Sequence, residues 1–202
     1  MNSRKVVYLF FSTLLIGATS GAIVGLLLDF ETYWSGLMSG EIIDFILVLV
    51  WLFGIAAMWT LISQMGFFAY LTVHRFALGI FKTAKTWNLI QVFIIAFVLQ
   101  GLAYLRYVSF ATEDQTLLAF TLIPILLLIY GIIIAYIKSK QTNFGAFIPG
   151  LFFIVVVSTL EWLPALRVND PKWLWIYLTP LIVANTWQLL VLHRLISQKD
   201  TN

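Results

Sequence analysis

Glu161 is the residue in this chain best placed to do chemistry, because it sits inside an apolar run of spanning length, FIPGLFFIVVVSTLEWLPALRVND, residues 147–170. A carboxylate in hydrocarbon is costly, so it faces protein or water and often marks a proton, ion or ligand position. Helix rise sets which polar residues share its depth. Gln100 lies about 20 Å along its run from Trp87, and Glu161 about 25 Å along its own from Phe144. Thr179 lies about 10 Å inward from the opposite end of its run at Trp173. Ser158 stands one turn before Glu161 on the same helix face, and Arg106 and Arg167 sit at the boundary within reach of the carboxylate. The set Glu161, Ser158, Arg167, Arg106, Gln100 and Thr179 is therefore read in two ways. It is an outward-opening polar pocket for a ligand, a proton or a partner helix, or a buried network that ties one helix to its neighbours. Pro164 adds a second demand, since it cannot donate to the carbonyl of Leu160 and that oxygen needs a partner.

Other chemistries lack their residues. There is no cysteine, which removes disulfides and thiolate chemistry. The two histidines, His74 and His193, belong to the end opposite nearly all the acids, so no metal-binding set and no serine triad is expected. No phosphate-cradling glycine loop precedes a lysine, and the scattered basic residues are no nucleic-acid surface. Each histidine precedes an arginine, and His74 with Arg75 reads as an anchor at the cytoplasmic interface. The chain is expected to be no enzyme and to need neither metal nor cofactor.

The elements that hold these residues are apolar helices. Of the 202 residues 61% are hydrophobic and 10% charged, with mean hydropathy +0.97, a membrane composition with no polar stretch long enough for a second domain. Residues 1–202 are expected to form one polytopic domain, an all-α bundle of six spans: 6–28, 45–62 with its flanks, 87–108, 117–137, 144–166 and 173–196. Pro124 suggests a kink in the fourth span. Residues 29–44 form an acidic connection. The segment GFFAYLTVHRFALGIF, 66–81, is short for a span and carries His74 and Arg75, so it is read as an interfacial helix that begins after a break at Gly66. Gly17, Gly21 and Gly25 recur every four residues on one face of the first span, where another backbone can approach closely. Packing within the chain is the favoured use of that face, and a second copy of the chain is the other partner it admits.

Six spans place Arg4, Lys5, Arg75, Lys82, Lys85, Lys138, Lys140, Arg194 and Lys199 on the side of the N-terminus. That is nine of the twelve basic residues, and Asp29, Glu31, Glu41, Asp44, Glu113, Asp114 and Asp170 fall opposite. The positive-inside rule then makes both termini cytoplasmic, in a multi-pass protein of the cytoplasmic membrane.

The runs LFFSTLLIG (9–17), GFFAYLTVHRFALGIF (66–81) and YIKSKQTNFGAFIPGLFFIVVVSTLEWLPALRVND (136–170) resemble the KinB-signalling-pathway activation family, KbaA, of endospore-forming bacteria. The likeness covers nearly the whole chain. It implies an accessory membrane protein that promotes activation of a sensor histidine kinase feeding sporulation, with that kinase and the bilayer as partners. It carries no catalytic residue onto this chain. The competing reading is a small transporter acting on the kinase indirectly, since proline-broken spans and a buried acid suit transport sites. Against it, the first three spans show no repeat in the last three.

Overall fold

A backbone in hydrocarbon must satisfy its polar groups internally, so long apolar runs become helices. The computed structural model describes residues 3–81, 83–112, 114–167 and 170–197, apart from the side chains at 166, 167, 171 and 197, and holds no strand among them. Lys82, Glu113, Lys199 and the Arg167 side chain therefore lie outside the described residues.

The helices are α1 (Ser3–Leu28), α2 (Phe30–Met38), α3 (Ile42–Ile80), α4 (Ala84–Phe110) and α5 (Leu122–Gln141). They are followed by the composite α6 (Phe144–Ala165) and by α7 (Pro171–Ser197). Six of these, all but α2, are long and apolar enough to cross a membrane. Successive long helices run in opposite directions. The described basic residues Arg4, Lys5, Arg75, Lys85, Lys138, Lys140 and Arg194 therefore collect at one end, with Asp29, Glu41, Asp114 and Asp170 at the other.

Hydrophobic burial does not drive helices together in lipid, where close packing of small residues and interhelical hydrogen bonds must do so. The α1–α3 contact shows how. A Cβ on Gly17 would overlap the Thr60 side chain, one on Gly21 would lie 2.5 Å from Ala56 Cβ, and one on Gly25 would lie 2.7 Å from Leu52 Cδ2. Both helices step by four residues in opposite senses, so the glycine stripe is filled by α3 within the same chain. The Pro180 ring of α7 also fills this groove, its Cγ 3.2 Å from the Cβ position of Gly21.

The bundle closes around α6. Every residue from Gly150 to Thr159 is buried, beneath α3, α4, α5 and α7. Phe67 and Tyr70 of α3 pack on the Phe153 ring at 5.4 and 5.3 Å, and Gly131 of α5 accepts Val155 Cγ2 at 2.8 Å from its Cβ position. The helix changes pitch along its length: a π-helical stretch, Phe153–Val157, precedes an α-helical turn, Ser158–Trp162, and a 3₁₀ stretch, Leu163–Arg167, follows. Such π segments insert one extra residue per turn and re-aim the side chains that follow. Pro164 sits where the wide helix tightens to 3₁₀.

One expectation is corrected and two gain detail. No break occurs at Gly66, because α3 is a single helix of 39 residues, about 58 Å long against about 30 Å of hydrocarbon. Residues 66–80 continue this rod instead of starting a separate helix. Glycine there opens room for a neighbour and does not end the helix. The acidic connection holds a helix, α2, and Lys172 pairs with Asp29 beside it. Pro124 lies in the first turn of α5, and the span changes direction just before it, from a 3₁₀ turn, Leu117–Phe120, through a bend at Thr121 into the α-helix.

Candidate functional site

Glu161 anchors a polar seam in which α3, α6 and α7 meet. The π stretch and the turn after it present Ser158 and Glu161 to α7, where Asn185 and Gln188 share a face three residues apart. Asn185 Nδ2 donates to Glu161 Oε2 at 2.7 Å and to Ser158 Oγ at 2.9 Å. Asn185 Oδ1 accepts from Ser63 Oγ of α3 at 2.8 Å, and Gln188 Nε2 donates to Ser63 Oγ at 3.2 Å. One amide thus links three helices. On the other side of α3, Gln64 Nε2 donates to the carbonyl of Phe10 in α1 at 3.3 Å.

The second carboxylate oxygen explains Gly66. A Cβ there would overlap Glu161 Oε1 and lie 3.1 Å from Val157 Cγ1. The acid therefore fills the space that this glycine leaves open. Glu161 is 8% exposed, and its Oε1 has no hydrogen-bond partner. Thr13 Oγ1, Gln64 Oε1 and Gln188 Oε1 are likewise buried without donors. No lysine or arginine among the described residues pairs with Glu161, so the seam is built on amide and hydroxyl hydrogen bonds.

Of the residues grouped with Glu161 by depth, Ser158 joins it and the others do not. Gln100 is exposed, because it lies five residues past the buried Ile95, about 140° round the helix. Thr179 donates to the Trp175 carbonyl of its own helix at 2.8 Å. Arg106 lies over the rings of Phe110 and Trp162, 5.6 and 5.7 Å from their centroids, with Nε and Nη1 buried and without an acceptor. The Arg167 side chain is outside the described residues. Arg75 is exposed. His74 does not sit alone at the surface, since its Nδ1 accepts from Trp87 Nε1 at 2.9 Å. Gln64, just before the segment read as interfacial, is buried inside the bundle.

A second polar layer lies toward the basic end. The Tyr70 hydroxyl donates to the Pro149 carbonyl at 2.9 Å and accepts from Gln91 Nε2 at 3.2 Å. Lys138 Nζ donates to the Leu189 carbonyl at 2.6 Å, with His193 Nδ1 3.5 Å away. No group of three His, Cys, Asp or Glu among the described residues could hold a metal ion. Ser63 and Gly66 were not legible as partners of Glu161. The available signal was a Ser-Gln-x-Gly cluster in an otherwise apolar helix, the polar-and-small pattern of a tight membrane interface.

Comparison with known proteins locates the chain. Residues 17–195 match the model of the family described as KbaA, KinB-signalling pathway activation in sporulation. A protein of Bacillus subtilis (strain 168) named KinB-signaling pathway activation protein is 44% identical over 194 residues, which cover 96% of this chain and 98% of that one. No solved structure matches. The matched stretch runs from Gly17 at the α1–α3 contact through the whole polar seam to the end of α7, and the chain belongs to the KbaA family.

Proposed function

We propose that this chain is an accessory protein of the cytoplasmic membrane that promotes activation of a KinB-type sensor histidine kinase in the pathway to sporulation. The observation that carries this reading is the family match across residues 17–195, supported by a relative aligned over almost its full length. Six apolar helices with segregated charge support insertion with the basic end in the cytoplasm. The polar seam then serves to hold α3, α6 and α7 in one register, and the kinase meets a surface that this register presents.

The surface best suited to such contact is the outward face of α3 near the basic end. Phe68, Leu71, Thr72, Arg75, Phe76 and Gly79 line an open groove there, with Phe76 69% exposed. A neighbouring membrane helix fits such a face through its small and apolar residues. The test uses a strain that lacks this protein, carries the kinase and reports its output. Wild-type chain restores output and co-purifies with the kinase, whereas Phe76→Ser with Gly79→Leu loses both at unchanged membrane level. Restored output with no detectable association would remove direct contact, and Glu161-dependent solute uptake in proteoliposomes would replace this reading with transport.

A further inference from the structure

The geometry points to a bound anionic phospholipid, its phosphate on Arg106 and one acyl chain laid between α5 and α7. Two cavities carry the assignment. One, of about 150 Å³, is lined by Arg106, Phe110 and Leu174 together with Ile123, Trp162, Trp175 and Leu178. The other, of about 220 Å³, shares those last four residues and continues past Leu127 and Tyr130 to Ile182. Adjoining through that shared wall, they make a groove with the guanidinium at its mouth and, apart from Tyr130, Ser158 and Thr159, hydrocarbon along its length. From Leu174 to Ile182 it extends about 12 Å along α7, a substantial part of one leaflet.

Arg106 gives the head its sign. Its Nε and Nη1 are buried with no acceptor, although a guanidinium offers five donors in a fork that matches phosphate. The Phe110 and Trp162 rings hold it from two sides. No carboxylate among the described residues pairs with it: Asn185 donates to Glu161 Oε2, Glu161 Oε1 has no partner, and Lys172 holds Asp29. The groove also opens sideways to the surrounding lipid, because Leu126 and Trp175 on its walls are 51% and 47% exposed. A bilayer lipid enters by that route without leaving the membrane. This assignment does not depend on any role in kinase activation.

The experiment titrates delipidated, detergent-solubilised protein with phosphatidylglycerol, with phosphatidylcholine of the same chains, and with oleate, and counts retained molecules by native mass spectrometry. One phosphatidylglycerol per chain is expected, held about tenfold or more above phosphatidylcholine, whose choline cation repels the guanidinium that either phosphate approaches. Arg106→Gln brings retention down to the phosphatidylcholine level. Leu178→Trp, which fills the groove without touching charge, reduces retention of both lipids. The helical circular dichroism of each variant is compared with wild type, and the wild-type lipid preference decides the matter even where a variant fails to fold. Equal retention of the two lipids by wild type, retention unchanged in both folded variants, or stronger binding of oleate than of phosphatidylglycerol would each overturn the assignment.

Discussion

Adding a single methyl group at Gly66 tests how α3 and α6 fit together. In Gly66→Ala the new Cβ overlaps Glu161 Oε1, and Val157 Cγ1 stands 3.1 Å away. Forcing a side chain into a filled site costs about 1–3 kcal/mol. Pushing the carboxylate aside also loses its 2.7 Å bond from Asn185, about 0.6 kcal/mol for an average interhelical hydrogen bond in a membrane. Against this, alanine is the better helix former by about 1 kcal/mol. The sum is a destabilisation of about 0.5–2.5 kcal/mol. In a Glu161→Ala background the overlap with the carboxylate is gone and only Val157 Cγ1, 3.1 Å away, must give by a few tenths of an ångström, so the same methyl is neutral or stabilising by up to about 1 kcal/mol. The predicted sign reversal is measured as a double-mutant cycle, by equilibrium unfolding in mixed micelles with helical circular dichroism as readout. Gly66→Ala equally harmful with and without Glu161, or harmless in the wild-type background, would refute the proposed fit.

Gly21→Leu is expected to abolish folded yield, because Ala56 and Pro180 already occupy that space, whereas Gly54→Leu, with nothing within 4 Å, leaves yield near wild type in a detergent-stability screen. Asn185→Leu leaves Glu161 Oε2 without its donor and the Ser63 hydroxyl without its acceptor, although Gln188 still donates to Ser63, and each lost partner costs about 1–3 kcal/mol in the same unfolding measurement. Tyr70→Phe deprives the Pro149 carbonyl of a donor and Gln91 of an acceptor, and lowers stability by about 1–2 kcal/mol without altering helix content.

The residues themselves announced most of the helical layout. A charge-free apolar run cannot be anything else in lipid, and five of the seven helices fall within a few residues of the spans read from hydropathy, while α3 runs on past its span to Ile80. The seventh, α2, was hidden in a connection with no buried residue to betray it. Within the seam, Glu161 and Ser158 were legible because a polar side chain in hydrocarbon is conspicuous. Their partners were chosen by depth alone, and depth is half of a helical coordinate. Gln91 and Gln100 lie on one helix nine residues apart, about half a turn round, so one is buried against Tyr70 and the other exposed. The same gap assigned Arg106 to Glu161, although its guanidinium turns to Trp162. Gly66 was misread for another reason. Glycine weakens an isolated helix in water, but in a membrane bundle it marks the place where a neighbour comes close.

The most direct measurement joins positions 66 and 161 covalently. The chain has no cysteine of its own, so Gly66→Cys with Glu161→Cys is read without background, and Glu161→Cys also removes the carboxylate that would crowd the new side chain. Mild oxidation in native membranes is expected to close a disulfide within one chain, while the control pair Gln100→Cys with Glu161→Cys stays reduced. A linked control pair, or a 66–161 pair that stays open or joins only separate chains, would mean that the buried acid does not sit between α3 and α7.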